Sequence, residues 1–480
     1  MRTLKTSFLF FLSFFLLAPV SQASAKKNSV KNPKYIFYFI GDGMGMGSLV
    51  TTQFYKAGNM EKPEIAPLCF TQFPYSGLLI THSSDSGVTD SAAAGTALST
   101  GSKTSSRTVG MLPDRETPLV SIACKAHEKG WRVGIATTTC IDDATPAAFF
   151  AHVPVRYDQH VIGMQLVDSE YEFFGGYGFR QDKDKDHPDM DKGIVATASE
   201  SGYTVVNSYA DYQRISNDAD KVILFTPQED NNEQIPYQID ATPADLTMEQ
   251  VFNAGFDFLQ KKEGKFFYMF EGGSIDHAAH GNDAATLVTE ILTFDACIET
   301  AFNFYKQHPD ETLIVVTADH STSGCTPGDG GYYLNIPVLA NQKMSEGAFA
   351  KYLKAIAQKE GLPTWERVKQ ELTLNFGFWD KIRINPMQEQ ALKEAYEQSF
   401  TTDGVKQDLS EDNLYSYYKT DKLSDRAVKI INDIAQVGWI SGDHDGGYVP
   451  VFAVGVGAEN FSGQMQNIEV PDKIAAIAGF

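Results

Sequence analysis

The chain has 480 residues and a formal net charge of −21, with 61 acidic side chains against 40 Lys and Arg. An acidic surface repels the phosphate backbones of DNA and RNA, which disfavours a nucleic-acid-binding function. An anionic small substrate would need a local reversal of this field, and bound metal cations would supply one. The length allows one large α/β domain with insertions, or two domains. The five cysteines are an odd number, so at least one thiol has no partner within the chain.

Residues 1–25 have the layout of a secretory signal peptide. Arg2 and Lys5 precede a short apolar run, and the sequence "ASA" that ends at Ala25 supplies the small residues of a cleavage site. An uncleaved membrane anchor is the alternative, but the short run favours cleavage near Ala25. No later run is long and apolar enough to span a bilayer. We therefore expect an exported protein, periplasmic or secreted, with no membrane span after cleavage.

Short apolar runs predict strands that are buried on both faces, which is typical of a parallel sheet. Helical patterns lie between them, and this alternation predicts an α/β fold, a three-layer sandwich around a mostly parallel central sheet. Residues 341–440 carry helical runs without a clear buried strand, so we predict a largely helical insertion in a catalytic domain of residues 26–340 and 441–480. The charged stretch 180–193 predicts a solvated loop. The predicted strands are 35–40, 132–137, 221–225, 266–270, 312–317 and 449–456.

The stretch "GVTDSAAAGTALSTG", residues 87–101, contains a serine that could be either a helix cap or a catalytic nucleophile. Asp90 and Ser91 open an Ala-rich run with high helix propensity. Ser and Asp are preferred at helix N-caps because their side-chain oxygens accept backbone N–H bonds. Local physics therefore favours Ser91 as a structural cap, and a catalytic nucleophile is the alternative.

Acidic and histidine side chains follow four of the predicted strands. The carboxyl ends of parallel strands meet at one edge of a sheet, where ligands of open α/β folds gather. Clustered carboxylates repel each other unless a cation neutralises them. The strand 221–225 has no acid or histidine after it, and we assign it to the scaffold. The clustered residues are Asp42, Asp143, Thr145, Glu271, Asp276, His277, His280, Asp319 and His320.

The residue types also indicate which metals they would bind. Asp276 and His280 are four apart and share a helix face, while Asp319 and His320 are adjacent at a strand end. Histidine with carboxylate suits Zn²⁺. His444 precedes the last predicted strand and can reach the same edge of the sheet.

An all-oxygen group of Asp42, Thr145 and Glu271 suits Mg²⁺. A Ser hydroxyl is a weak nucleophile until it is deprotonated, and metal coordination is one way to achieve this. The planar fork of Arg156 offers two donors to phosphate oxygens. The joint pattern therefore predicts both roles for Ser91, a residue that opens a helix and a nucleophile whose hydroxyl faces metal.

Six segments, taken in order, resemble the alkaline phosphatase family: "YIFYFIGDGMG", "TDSAAAGTALSTG", "TTTCIDDATPAAFFAHVPVR", "FEGGSIDHAAH", "VVTADHS" and "GDHDGGYVPVFAVG". They cover about residues 34–340 and 440–480. The resemblance implies metal-dependent hydrolysis of phosphate monoesters through a phosphoserine, which releases inorganic phosphate and an alcohol. It also implies two Zn²⁺ ions, one Mg²⁺ ion and a homodimer.

The resemblance carries residue roles onto matching positions of this chain. Ser91 corresponds to the nucleophile, and Arg156 to the clamp on the phosphoryl group. Asp143 corresponds to a residue that acts through Mg²⁺-bound water. The implied ligands are Asp276, His280 and His444 for the first Zn²⁺; Asp42, Asp319 and His320 for the second; and Asp42, Thr145 and Glu271 for Mg²⁺.

Two positions depart from the usual family pattern. His277 stands where some members have Lys and others His, and with Asp143 it makes a mixed arrangement. We expect Mg²⁺ in the third site, because a His at position 143 would have favoured Zn²⁺ there. Asp445 replaces the usual Thr after His444, where it either partners His444 or faces solvent. Both are candidates for contacts just outside the metal ligands.

Two other function classes remain open from the sequence. A related phosphodiesterase or phosphomutase is disfavoured by Arg156 and the all-oxygen third site, which suit a monoester. Ser91 lacks the surrounding C/S-x-P-x-R motif of sulfatases. A non-catalytic exported protein that binds phosphate or metal is the second alternative. The sequence does not define the physiological substrate or the role of residues 341–440.

Overall fold

A computed structural model describes residues 32–59, 64–186, 188, 191–215, 218–226, 233–401, 404–405 and 421–480. The predicted signal peptide lies outside these residues, and its cleavage stays a prediction. Residues 32–480 form one compact unit. Among the described residues, no helix combines the length and the apolar character that crossing a membrane requires. In the part of the chain that the structure describes, the five cysteines form no disulfide.

A ten-stranded sheet forms the centre of the described chain, in the order β10-β2-β9-β8-β1-β7-β3-β4-β6-β5. The central strand β1 pairs in parallel with β7 on one side and β8 on the other. The bounds are β1 Tyr35–Gly41, β2 Tyr75–Ile80, β3 Arg132–Thr137, β4 Phe173–Gly176, β5 Tyr203–Val206, β6 Lys221–Phe225, β7 Phe266–Gly272, β8 Thr312–Thr317, β9 Val449–Gly455 and β10 Gly463–Gln466.

The sheet is mostly parallel, as the apolar runs predict. Strand β9 is the exception, because it lies antiparallel between β2 and β8. The run at 449–456 therefore forms a buried strand, but its direction differs from that of a parallel-sheet strand. Buried position alone produces the continuous apolar run, whichever way the strand points.

Helices cover both faces of the sheet. Alternate residues of a strand point to opposite faces. In β1, Phe37 and Phe39 pack against aromatic side chains of the helices Met248–Gln260 and Ala284–Gln307. The Tyr38 hydroxyl between them donates to the Leu98 carbonyl in the helix Ser91–Thr100. The result is the predicted three-layer arrangement.

The helices, in chain order, are α1 Met46–Ala57, α2 Ser91–Thr100, α3 Ile122–Glu128, α4 Ala144–Ala147, α5 Gln159–Ser169, α6 Ile194–Glu200, α7 Tyr209–Ile215, α8 Met248–Gln260, α9 Ser274–His280, α10 Ala284–Gln307, α11 Glu346–Glu360, α12 Trp365–Phe376, α13 Pro386–Ser399, α14 Lys422–Ala435 and α15 Glu469–Ala478. Helices α11 to α14 fall in the segment 341–440, which also contains a short hairpin of Phe400–Thr401 with Gly404–Val405. The domain boundaries around this segment stay a prediction.

Candidate active site

Four neighbouring strands deliver the site. Strands β8, β1, β7 and β3 are adjacent in the sheet. Asp42 follows β1, Glu271 lies at the end of β7, and Asp319 follows β8. Asp143 is the N-cap of α4, the helix that follows β3. The carboxyl ends of these strands therefore bring the acids to one edge of the sheet.

Ser91 is the first residue of α2, and Asp90 is its N-cap. The Asp90 carboxylate accepts the backbone N–H of Ala93. The local expectation that Ser91 itself caps the helix is therefore wrong, because the preceding acid occupies that position. The Ser91 hydroxyl lies instead 3.2 Å from Nε2 of His320. Its position at a helix N-terminus also favours negative charge nearby.

The first group of metal-ligating atoms surrounds His320. Its Nε2 lies 3.3 Å from Oδ1 of Asp42 and 3.2 Å from Oδ2 of Asp319. Both oxygens are buried and accept no hydrogen bond within the described chain. Nδ1 of His320 lies 3.1 Å from the hydroxyl of Thr322. Thr322 in turn donates to Oδ1 of Asp276, so its hydroxyl accepts the hydrogen of Nδ1. The bare Nε2 of His320 then faces the carboxylates.

The second group consists of Asp276, His280 and His444. Nε2 of His280 lies 3.2 Å from Oδ2 of Asp276 and 3.1 Å from Nε2 of His444. Nδ1 of His280 lies 2.6 Å from the Gly442 carbonyl, and Nδ1 of His444 lies 2.9 Å from the Thr89 carbonyl. A carbonyl only accepts hydrogen bonds, so each Nδ1 carries a hydrogen, and Nε2 is the ring atom that could bind a metal ion in place of a proton.

The two groups bring hydrogen-bond acceptors close together, so a bound cation would stabilise this part of the fold. One atom each of Asp276, His320 and His444 lies within 4.8 Å of the others, as does one atom each of Asp42, Asp319 and His320, so the first of these sets contains His320 rather than His280. Buried carboxylate oxygens without donors repel each other. A bound metal ion would satisfy all of them, and the hydrogen bonds to each Nδ1 orient the rings for it. The donor set therefore fits metal cations.

A third group contains only oxygen ligands. The Thr145 hydroxyl lies 3.4 Å from Oδ2 of Asp42. Glu271 is buried beside them and accepts a hydrogen bond from Thr137. Asp42 can thus contribute one carboxylate oxygen to the His320 group and the other to this one. Such an oxygen set fits a hard cation.

The charges in the cluster shift its pKa values strongly. Burial raises the pKa of Asp42 well above its usual range, and the charge of Asp319 adds to this. Burial likewise raises the pKa of Asp319 to about 7 and that of Glu271 to about 8. Burial alone would lower the pKa of His280, but the charge of Asp276 outweighs it and raises that pKa to about 9. The site is thus an anionic cluster that attracts protons or metal cations.

Asp143 joins two arginines rather than the metal-ligating groups. Its Oδ1 accepts from Nη2 of Arg156 at 2.9 Å, and its Oδ2 accepts from Nη2 of Arg180 at 3.0 Å. Burial opposes ionisation of Asp143, but Arg180 and Arg156 outweigh it and hold its pKa well below the usual range. Arg180 is a residue of the site that the sequence does not predict, because it begins the stretch expected to form a solvated loop.

The two departures from the family pattern have separate partners. Nδ1 of His277 contacts the side-chain oxygen of Gln234, and burial lowers the pKa of His277 to about 4. Asp445 accepts from the Ser321 hydroxyl at 2.9 Å and the Gly324 N–H at 2.8 Å. Neither expectation for Asp445 describes this, since the carboxylate holds the turn after β8 rather than the imidazole of His444 or open solvent.

Comparison with known proteins places this geometry in a family. A family model described as alkaline phosphatase matches residues 33–480. The chain belongs to the alkaline phosphatase family. Alkaline phosphatase 3 of Bacillus subtilis (strain 168) is 29% identical over 473 residues, which cover 95% of this chain and 92% of that protein. The chain is accordingly an alkaline phosphatase that hydrolyses phosphate esters, and the family is metal dependent.

Solved structures of the family share the fold. A cold-active alkaline phosphatase from a psychrophilic Shewanella species superimposes with a TM-score of 0.77 at 27% identity, over 92% of this chain and 99% of that one. A variant of the TAB5 alkaline phosphatase in which Asp replaces a His has Mg bound in its M3 site. It matches with a TM-score of 0.65 at 25% identity, over 94% of this chain and 99% of that one.

Proposed function

We propose that this alkaline phosphatase hydrolyses phosphate monoesters through a phosphoserine on Ser91 and requires bound metal cations. The observation that carries the proposal is the position of the Ser91 hydroxyl at the start of α2, 3.2 Å from His320 Nε2 and beside the unpartnered oxygens of Asp42 and Asp319. Small phosphate monoesters are the proposed substrates, with inorganic phosphate and an alcohol as products.

The donor chemistry supports two Zn²⁺ ions and one Mg²⁺ ion. Mixed imidazole and carboxylate ligands favour Zn²⁺, whereas ligands with oxygen alone favour Mg²⁺. Mg²⁺ in the M3 site of the TAB5 variant with Asp in place of His is consistent with a carboxylate-rich third site. When bound, the cations would act as Lewis acids that offset the clustered carboxylates and stabilise charge on the attacking and leaving oxygens. The proposed ligands are Asp276, His280 and His444; Asp42, Asp319 and His320; and Asp42, Thr145 and Glu271.

The chain's own residues set up an in-line displacement. The Ser91 hydroxyl loses its proton to solvent, and its oxygen forms a bond to phosphorus while the bond from phosphorus to the alcohol oxygen breaks. The alcohol oxygen leaves with the electron pair of that bond and takes up a proton from solvent. Water then attacks the phosphoserine, which releases inorganic phosphate and restores the Ser91 hydroxyl. The N-terminus of α2, where Ser91 lies, favours the negative charge that this exchange moves.

Arg156 binds the phosphoryl oxygens in this proposal. Its guanidinium is largely buried and lies 3.4 Å from Asp90, which precedes the nucleophile, and 2.9 Å from Asp143, the N-cap of α4. A planar guanidinium presents two parallel donors to phosphate. The two acids fix its orientation in advance, so less ordering remains when the substrate binds.

The decisive variant is Ser91→Ala, with Ser84→Ala as the matched control. Ser84 is exposed in the loop that precedes α2, and its hydroxyl meets only that of Ser105 among the contacts that the structure gives. We expect Ser91→Ala to abolish aryl monoester turnover while its Zn and Mg content, measured by mass spectrometry, stays that of the parent. Ser84→Ala should match the parent in both. Turnover that survives in Ser91→Ala would refute the phosphoserine route.

Two further measurements separate the alternatives. An aryl diester offered to the parent enzyme tests the phosphodiesterase reading, and faster turnover of the diester than of the monoester would favour it. A chelator tests metal dependence, because activity should fall on chelation and return on addition of Zn²⁺ and Mg²⁺. A fully loaded sample without activity on any monoester would support the non-catalytic binding protein.

Export and dimerisation also belong to the proposal. The signal-peptide layout of residues 1–25 supports export to the periplasm or the medium, and N-terminal sequencing of the mature protein tests it. A start near Lys26 is expected. The family resemblance supports a homodimer, which light scattering on the purified enzyme would detect as twice the monomer mass.

A further inference from the structure

Arg180 completes a chain of charges that begins at the proposed phosphate clamp. Its Nη2 lies 3.0 Å from Oδ2 of Asp143, and its Nη1 lies 3.3 Å from Oδ1. The guanidinium therefore engages both oxygens of the carboxylate whose Oδ1 also accepts from Arg156 at 2.9 Å. The side chains of Arg156, Asp143 and Arg180 are 10%, 10% and 12% exposed, so solvent screens their charges little.

The backbone and a second acid hold Arg180 in place. Its N–H donates to both carboxylate oxygens of the buried Asp142, at 3.1 and 2.9 Å. Its Nη2 also lies 2.9 Å from Glu233, whose side chain is 42% exposed. Asp142 directly precedes Asp143, so these hydrogen bonds fix the start of the loop that begins at Arg180 next to Asp143. The guanidinium is positioned by structure that does not depend on substrate.

We propose that Arg180 is a positioning residue for phosphate binding, which acts on Arg156 through Asp143. This inference rests on the proposed role of Arg156 as the clamp. Arg180 shares the negative charge of Asp143, so this carboxylate neutralises less of the charge of Arg156, which also faces Asp90. Without Arg180, the Asp143 carboxylate competes with phosphate for Arg156, the only guanidinium left in the triad.

The two hydrogen bonds from Arg180 also fix the orientation of the Asp143 carboxylate. A carboxylate gripped on both oxygens cannot rotate, so Asp143 presents Oδ1 to Arg156 in one orientation. A fork that engages both oxygens is specific to Arg, because a Lys ammonium is a single point charge. Lys at position 180 should therefore restore the charge but only part of the orientation.

The test compares phosphate binding by the parent and by variants of the metal-loaded enzyme. We expect Arg180→Ala to weaken inorganic phosphate, measured by isothermal titration calorimetry, by about 10-fold, the lower end of the loss seen when a partner behind a ligand is removed. KM for an aryl phosphate should rise more than kcat falls. Arg180→Lys should bind with intermediate affinity. Glu200→Gln is the control, and its phosphate affinity should stay within about 2-fold because the exposed ion pair of Glu200 with Lys192 contributes little.

A double-mutant cycle tests the route through Asp143. In an Asp143→Ala background, Arg180→Ala should cause no further loss of phosphate affinity. Losses that multiply in the double variant would overturn the inference. So would an Arg180→Ala protein with parental metal content and parental phosphate affinity.

Parallel measurements keep the proposal distinct from a purely structural role and from the proposed function. Arg180→Gln serves where the Ala variant fails to fold, since it keeps side-chain volume and a donor. A loss of thermal stability without a change in phosphate affinity would assign Arg180 to the scaffold and refute the inference. If Arg156→Ala also binds phosphate as the parent does, the clamp itself is wrong; if only Arg156→Ala weakens binding, the clamp stands and the Arg180 inference fails.

Discussion

The Thr322 side chain links the two groups of candidate metal ligands, and Thr322→Val tests its role. Its hydroxyl lies 3.1 Å from Nδ1 of His320 and donates to Oδ1 of Asp276. Thr322 is 1% exposed and pairs with His444 across the short strands Ser321–Thr322 and His444–Asp445. Valine keeps the branched shape and the strand preference but removes the hydroxyl.

The expected loss follows from the hydrogen bonds removed. In the valine variant the Nδ1 hydrogen of the fully buried His320 has no acceptor, and an unsatisfied buried donor costs about 1–3 kcal/mol. Outer hydrogen-bond partners of metal ligands typically change metal affinity by about 10–100-fold. The two estimates agree in order of magnitude, because about 1.4 kcal/mol corresponds to a tenfold change in affinity. We therefore expect Zn²⁺ affinity to fall by about 10–100-fold.

The assay is competition with a chromogenic chelator, followed by monoester turnover at limiting and at saturating Zn²⁺. Turnover of Thr322→Val should fall at limiting Zn²⁺ and recover in part at saturation. Thr322→Ser is the control, because it keeps the hydroxyl and should hold Zn²⁺ nearly as the parent does. A Thr322→Val protein with parental Zn²⁺ affinity would show that the hydroxyl does not orient the ligands.

Two further predictions concern stability. Burial raises the pKa of Asp319 to about 7 and of Glu271 to about 8, above their values in an unfolded chain, so the chelated folded protein binds extra protons between about pH 4 and pH 8. The stability of the chelated protein should fall as pH rises through that window, giving a lower melting temperature at pH 9 than at pH 6, and saturating metal should remove or reverse this trend. A melting temperature of the chelated protein that rises from pH 6 to pH 9 would contradict this. Asp445→Thr should lower the unfolding free energy by about 1–2 kcal/mol in urea titration, because the Ser321 hydroxyl and the Gly324 N–H lose their acceptor. A control Asp443→Asn, whose side chain is exposed, should leave it unchanged.

The sequence predicts the centre of the sheet better than its edges. The runs at 132–137, 221–225 and 312–317 match the bounds of β3, β6 and β8, because strands buried on both faces require continuous apolar residues. The missed strands are short or partly exposed. Strand β2 alternates between exposed and partly buried residues, and β10 has the polar sequence "GQMQ" at the sheet edge.

One missed strand explains one missed residue. Strand β4, with the sequence "FFGG", pairs in parallel with β3, so the residues after it emerge at the same edge as Asp143. Had β4 been recognised, Arg180 would have been placed beside the site rather than in a solvated loop. The charge of the 180–193 stretch, taken alone, gives no sign that its first residue is buried. Ser91 shows the reverse case, where a local preference for capping was overridden because Asp90 occupies the cap.

The same electrostatic cost links the fold to its chemistry. Asp42, Glu271 and Asp319 have raised pKa values because the fold buries like charges together, and this cost falls on the folded state whenever they are ionised. A cation that binds only the folded site removes this repulsion, which raises the free energy of unfolding and contributes to the affinity for the cation. A variant that spreads the acids apart would make the chelated protein more stable but would hold metal less well. In this chain, stability without metal and metal affinity are therefore opposed properties of one cluster.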